Sequence, residues 1–176
     1  SMRIQQAAGL NGNRYATFHQ LGKEQAQKLH EDDRLYDVGD TIFIGSTPLG
    51  NSSLSLYLRE YHDNALSMYP AIGNVKEGRL PEEAIEIALS EDALQYLGLD
   101  AVIGDTVSLD LSVSVMDGSL SELEYSADFV LTGILESSYI GYASGTVEGI
   151  VGEGTAEELL PEEYLLYSTD FKTYDK

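Results

Sequence analysis

The stretch Thr106-Val107-Ser108-Leu109-Asp110-Leu111-Ser112-Val113-Ser114-Val115 decides the fold class. In an extended chain Val107, Leu109, Leu111, Val113 and Val115 lie on one side, and Ser108, Asp110, Ser112 and Ser114 on the other. A period of two is that of a half-buried strand. Asp117-Gly118 is a turn dipeptide, and the chain is expected to return through Ser121–Leu135 as the second arm of a long hairpin. There Leu123, Tyr125, Ala127, Phe129 and Leu131 alternate with Glu122, Glu124, Ser126 and Asp128. Val130 and Ile134 are apolar as well, which predicts that both faces are covered near the end of the arm.

Upstream, Gly78-Arg79-Leu80-Pro81 reads as a turn, and Ala84–Leu89 as a strand with Ile85, Ile87 and Leu89 on one face. Ser90 is a good N-cap, and Glu91 and Asp92 suit the positive end of a helix dipole. That helix is expected to bury Ala93, Leu94 and Leu97 and to stop at Gly98. Nearer the N-terminus, Arg14–His19 reads as a strand and Gln20–Glu31 as a helix. Arg34–Val38 reads as a strand ended by Gly39-Asp40, with another at Thr41–Gly45. Ser46–Ser52 is turn-rich, Leu54, Leu56 and Leu58 mark a half-buried strand, and His62–Met68 makes one or two helical turns before Pro70. Downstream, Glu136–Gly154 shows little pattern. Thr155-Ala156-Glu157-Glu158 fits a capping box opening a short helix that ends at Pro161, and Tyr164–Ser168 is a last strand. Strands and short helices without regular βαβ alternation predict an α+β fold with mixed or antiparallel sheets. Residues 1–13 read as a lead-in and 14–176 as one domain, divisible into two subdomains around the 78–135 block.

The chain has 176 residues, no Cys, no Trp and 12 Tyr, with 43% hydrophobic residues, an ordinary globular value. Without Cys there is no disulfide framework, thiolate metal site or cysteine nucleophile. No apolar run approaches a membrane span, and no signal peptide is visible. Ser1-Met2 has the form of an expression scar, so the chain is expected to belong to something longer. The net charge is −20. No Lys or Arg lies between Leu80 and Phe171, while 20 acidic residues do, so the whole excess sits in the second half. Such a surface repels phosphate backbones and anionic headgroups, which argues against a nucleic-acid partner. A cationic peptide, another cationic partner or Ca²⁺ is electrostatically permitted, although acidic residues also serve solubility alone.

Motifs for chemistry fail on spacing. Gly45-Ser46-Thr47-Pro48-Leu49-Gly50-Asn51-Ser52 has Asn51 where a phosphate loop needs Lys. Gly141-Tyr142-Ala143-Ser144-Gly145 misspaces a nucleophile elbow. His19, His30 and His62 each stand alone, and Asp117-Gly118-Ser119-Leu120-Ser121-Glu122 lacks the order of a calcium loop. With 30 carboxylates, an acid pair for glycoside chemistry selects nothing.

One ordered set of elements remains: Gly78-Arg79-Leu80-Pro81, Glu86-Ile87-Ala88-Leu89-Ser90, Ala93–Gly98, Ile103-Gly104-Asp105-Thr106-Val107-Ser108-Leu109 and Phe129-Val130-Leu131-Thr132-Gly133-Ile134. It resembles the extracytoplasmic core domain of FtsX-like, MacB-type ABC transporter permeases. The match spans Gly78–Leu135, about a third of the chain; residues 1–77 agree in general character and 136–176 match poorly. Gly78, Arg79, Pro81, Glu86, Gly104, Asp105 and Gly133 carry it, and each has a structural job. Gly78 and Pro81 shape the turn, Glu86 is expected to bond backbone amides or Arg79, Gly104-Asp105 turns into the long strand, and Gly133 allows close backbone approach. None is given a catalytic role.

The resemblance implies a MacB-like core architecture on the outer face of a bacterial cell membrane, between two membrane-spanning helices. It implies no cofactor in this chain, ATP being hydrolysed by a separate ABC ATPase subunit, and a second permease copy as partner. Substrates or partners implied are peptides, antibiotics, lipoproteins or cell-envelope proteins, and a Gram-positive source is expected; the lack of an evident long coiled coil or periplasm-spanning element argues against a Gram-negative tripartite pump partner. Two other classes stay open: a free-standing acidic module for Ca²⁺ or a cationic peptide, and a secreted hydrolase, which needs a cleft with convergent catalytic groups.

Overall fold

A computed structural model describes residues 4–8, 14–63, 65–116 and 120–174. The expected Asp117-Gly118 turn lies outside the described residues, but both arms of the hairpin are as read. Strand β7 (Thr106–Met116) and strand β8 (Leu120–Leu135) pair antiparallel from Thr106 opposite Val130 to Met116 opposite Leu120. Val107, Leu109, Leu111, Val113 and Val115 are all buried, as the period-two pattern requires. On the outer side each acid faces a serine: Ser108 Oγ donates to Asp128 at 2.6 Å, and Ser126 Oγ to Asp110. Cover on the second face is partial, since Ile134 is buried but Val130 is exposed.

The remaining strands are β1 (Ile4–Ala8), β2 (Arg14–Leu21), β3 (Leu35–Pro48), β4 (Ser55–Tyr61), β5 (Val75–Gly78), β6 (Glu86–Ser90), β9 (Thr146–Val151) and β10 (Tyr167–Thr173). All ten form one mixed sheet, with β4–β9 and β6–β8 parallel and the other pairs antiparallel. The hydrogen-bonded neighbours run from β3 through β4, β9, β6, β8 and β7 and return to β3, where Ser46 pairs with Ser112. Six strands therefore close a ring around Ile44, Leu56, Leu58, Ile87, Phe129 and Leu131, each fully buried. Outside the ring, β10, β2 and β1 continue the sheet from β3, and β5 lies along β8. The architecture is α+β, with helices α1 (Lys23–His30), α2 (Glu91–Tyr96) and α3 (Thr155–Leu159).

Several local readings are corrected. Part of the 1–13 lead-in is the edge strand β1, paired with Arg14–Phe18. The first helix starts only at Lys23, because Gln20 and Leu21 belong to β2 and Leu21 packs in the core. Gly39-Asp40 does not end a strand; β3 runs unbroken for 14 residues to Pro48. Gly39 keeps a ladder partner in Asp170, and its missing side chain is the space where the Ala65 backbone nitrogen sits, 2.3 Å from where a Cβ would lie. The helical turns after His62 shrink to one 3₁₀ turn at Leu66–Met68. Ala84 and Ile85 lie outside β6, and Ile85 has φ +62°, a strained value for a β-branched residue. It is held by its amide donating to Thr155 Oγ1 at 2.8 Å and its carbonyl accepting from Val130 at 2.9 Å. The patternless stretch hides β9, a ring strand. Tyr164 falls in a 3₁₀ turn (Glu162–Tyr164), so the last strand is β10 instead. The α2 reading holds: Ser90 Oγ accepts from the Ala93 amide at 3.1 Å.

The capping box at Thr155 is replaced by a long-range cap. The N-cap is Gly154, and Thr155 Oγ1 turns back to the Gly152 carbonyl at 2.7 Å. The acceptor for the free helix amides comes from β4. Alternation there runs Leu56, Leu58, Glu60, so the inward face ends on a carboxylate that is 1% exposed. Glu60 accepts from the Ala156 amide at 2.8 Å, from the Gly154 amide at 3.2 Å, and from the His62 ring. Burial alone would raise the Glu60 carboxyl, but the His62 bond and the two amides overcome it and hold it below 4.5. The Glu60 hydrogen bond raises His62 above 6.5 against the effect of burial.

The His62 contribution is complete below pH 6.5 and is lost as pH rises through its raised value. The Glu60 contribution is complete above pH 4.5 and is lost as pH falls through its lowered value. The difference in thermal midpoint between the wild type and His62→Asn is therefore expected to be largest between pH 4.5 and 6.5 and to shrink on both sides. A difference that does not vary with pH would exclude the pair as the cause.

Candidate functional site

The motif residues gather where β5, β6 and β8 meet. Glu86, at the start of β6, takes a two-pronged bond from Arg79, Nη1 to Oε1 at 2.9 Å and Nη2 to Oε2 at 2.7 Å. The same Oε1 accepts from the amides of Glu82 and Glu83 at 2.9 and 3.0 Å. The loop carrying Pro81 is thus wrapped around one carboxylate. The Arg79 bond is the main reason that the Glu86 carboxyl is lowered to about 2. Across the turn, the Arg79 carbonyl presses against β8: a Cβ on Gly133 would sit 2.3 Å from it. The β6–β8 register slips at this point, with Ile87 opposite Leu131 and Ala88 opposite Gly133, so Thr132 is the extra residue of a bulge. Gly78 has φ +74°, and a Cβ there would lie 2.1 Å from the Thr132 carbonyl oxygen.

Gly104 and Asp105 grip the adjoining residue of β8. The Gly104 amide donates to the Leu131 carbonyl at 2.8 Å and the Leu131 amide to the Asp105 carbonyl at 2.9 Å, while Asp105 Oδ2 accepts from the Val102 amide at 3.0 Å. Gly78, Arg79, Glu86, Gly104, Asp105 and Gly133 therefore surround one short segment, Leu131–Gly133. The Arg79 guanidinium and the Glu86 carboxylate are engaged with each other and with the backbone of residues 80–83, and Pro81 lines a depression with Leu80 and Glu82.

A concave site of mainly apolar lining lies on the outer face of β9. Thr146, Glu148 and Ile150 point outward from the ring, opposite the inward Val147 and Val151. The segment from Leu66 to Ile72 folds over part of that face and covers Ile150, Ala88 and Leu135. Between this segment and the 136–141 loop is a cleft of about 310 Å³. Its walls are mainly apolar, from Tyr69, Ile72, Leu135 and Ile140, and Ser90, Thr146 and Glu148 bring polar groups to it. Ile140 is 58% exposed at its mouth.

Glu148 is the charged group of interest. Arg59 Nε donates to its Oε2 at 3.2 Å, a single-point contact. The Arg59 guanidinium lies over the rings of Phe43, at 5.3 Å, and Tyr57, at 5.9 Å, and lines a neighbouring depression rather than the cleft. Burial is the largest influence on the Glu148 carboxyl and raises it above its ordinary value, with Arg59 only partly opposing this. Periodicity does not mark Glu148, because Gly149 breaks the apolar alternation of its strand. The available signal was Val147-x-x-x-Val151, two inward positions on either side of that glycine.

A second polar group sits under α1. His30 Nε2 is 2.9 Å from Asp40 Oδ2 and 3.8 Å from Asp63 Oδ2, and Thr169 Oγ1 donates to the other Asp40 oxygen at 2.7 Å. Among the described residues these three are the group whose donor atoms could converge on a metal ion. As they stand, the His30–Asp40 hydrogen bond joins α1 to β3, with the Asp63 carboxylate nearby at 3.8 Å. His19 bonds Ser168 instead and His62 bonds Glu60, so the three histidines serve three separate places. No family model matches the chain, and no curated protein is recognisably similar to it.

Two substitutions test the motif cluster by urea unfolding at neutral pH. Gly133→Ala forces a methyl group against the Arg79 carbonyl and is expected to cost about 1–3 kcal/mol. Glu86→Gln removes the charge that Arg79 and two amides share and is expected to cost about 2 kcal/mol. Unchanged midpoints for both would deny the cluster its structural role.

Proposed function

We propose that this chain is the non-catalytic extracytoplasmic domain of an FtsX-like, MacB-type ABC transporter permease. In this reading it stands on the outer face of the cell membrane and couples ATP hydrolysis by a partner ATPase subunit to export of, or response to, a substrate at the cell surface. The missing membrane part would carry the contacts with that subunit and with a second permease copy. The observation that carries the reading is the ordered set of elements from Gly78 to Leu135, in which Gly78, Gly104, Asp105 and Gly133 pack or bond the backbone of Leu131–Gly133 while Arg79 and Glu86 hold the adjoining loop. A domain that transmits movement needs such a stiff junction and no reactive group of its own. Among the described residues, no helix is long and apolar enough to cross a membrane.

A second reading, an acidic binding module for Ca²⁺ or a cationic peptide, draws on the cleft over β9 and the −20 charge. Calorimetric titration with a cationic peptide separates it from bulk charge attraction, which is lost at physiological salt. The permease reading is tested by the parent gene. It is expected to encode apolar spans directly before and after this segment and three more near its C-terminal end. A reading frame confined to residues 2–176 would overturn it.

A further inference from the structure

The cleft over β9 combines features that select a ligand. At about 310 Å³ it is at the small end of ligand pockets, which run from roughly 300 to 1,000 Å³. Ile72, Leu135 and Ile140 offer an apolar body something to pack against. The one ionisable group from the floor is Glu148, half-buried beneath them. Its counter-ion approaches from outside: Arg59 touches only Oε2, and its charge is shared with Phe43 and Tyr57 in the neighbouring depression. Glu136 adds a second acid at the wall, and among the described residues no Lys or Arg lines the cleft. A carboxylate among apolar walls, with its single cation on the far side, gains more from a second cation than an exposed acid does, because the local medium screens less.

We propose that this cleft binds a small hydrophobic primary amine, the ammonium on Glu148 and the apolar body against Ile72, Leu135 and Ile140. An anion of the same shape meets two acids and no accessible cation. A neutral analogue keeps the packing but leaves the carboxylate without its partner. The proposal rests on the cleft alone and stands or falls separately from the permease reading.

The test is amide-resolved NMR titration of the 176-residue chain with phenethylamine, phenethyl alcohol and phenylacetate at physiological salt. Phenethylamine is expected to give saturable shifts at Ile72, Ser90, Ile140 and Glu148, with the alcohol weaker by about tenfold, the worth of a charge-assisted hydrogen bond, and phenylacetate without effect. Glu148→Gln is expected to bring the amine down to the level of the alcohol. Ile140→Ala, at an exposed position where folding is not at risk, is expected to weaken amine and alcohol together. Thermal melts show whether each variant is folded, and Ile140→Ala alone decides if Glu148→Gln is not. The proposal is overturned by any of three results: no saturable shift at these amides, equal response to amine and carboxylate, or an Ile140→Ala variant that binds both probes as the wild type does.

Discussion

The ring of strands closes only because β3 comes directly against β7. The two meet where Ser46 pairs with Ser112, and the approach depends on Gly45. Its φ is +147°, and a Cβ there would lie 3.1 Å from the Ser112 carbonyl and 3.2 Å from the Leu111 Cβ. The β3–β4 register shifts between Phe43 and Gly45, a bulge that bends β3 away from β10 and toward β7. The Tyr125 hydroxyl, from β8, donates to the Ile44 carbonyl at the same bend. Closure gives each of the six strands a neighbour on both sides and leaves a dry interior for Phe129 and the branched residues around it.

A closed interior sets the cost of any polar group at its margin, and the chain meets that cost with bonds from distant segments. Glu60 follows two leucines inward and is accepted because α3 lends it two amides and His62 a third donor. Asp170 is 1% exposed and accepts from Thr17 and from Tyr69, the latter at 2.9 Å. Burial raises its carboxyl in spite of those bonds. Glu86 plays the corresponding part at the other end, where one carboxylate gathers Arg79 and two loop amides. Each of these acids fastens a connecting segment to the sheet, and the Tyr69 bond to Asp170 does so for the segment that frames one side of the cleft.

This division of labour bears on function. The residues that resemble permease motifs stiffen the junction of β5, β6 and β8, while the cleft is built on β9, with only Ser90 and Leu135 of its walls coming from the matched stretch. The acidic face of the β7–β8 hairpin, with serines opposite its carboxylates, makes that part of the surface soluble without needing cations.

What the sequence determined by itself was everything whose cause is local. The β7–β8 alternation, the Ser90 cap, the Gly104-Asp105 turn and the Arg79–Glu86 link lie within a few residues of their partners or repeat over many, so the pattern survives without knowledge of the fold. The acidic second half was equally legible. Tertiary structure alone decided the rest. β9 is a strand because β4 and β6 flank it, although Gly149 erases its periodicity. β3 continues through Gly39 because Asp170 and Ala65 meet it from far along the chain, and α3 is capped by an acid nearly a hundred residues away instead of by Thr155. Glu148 became a cleft residue for the same reason: its apolar walls come from segments that only the closed sheet brings together. A carboxylate acquires such a role from its surroundings, and the surroundings here are assembled by long-range pairing.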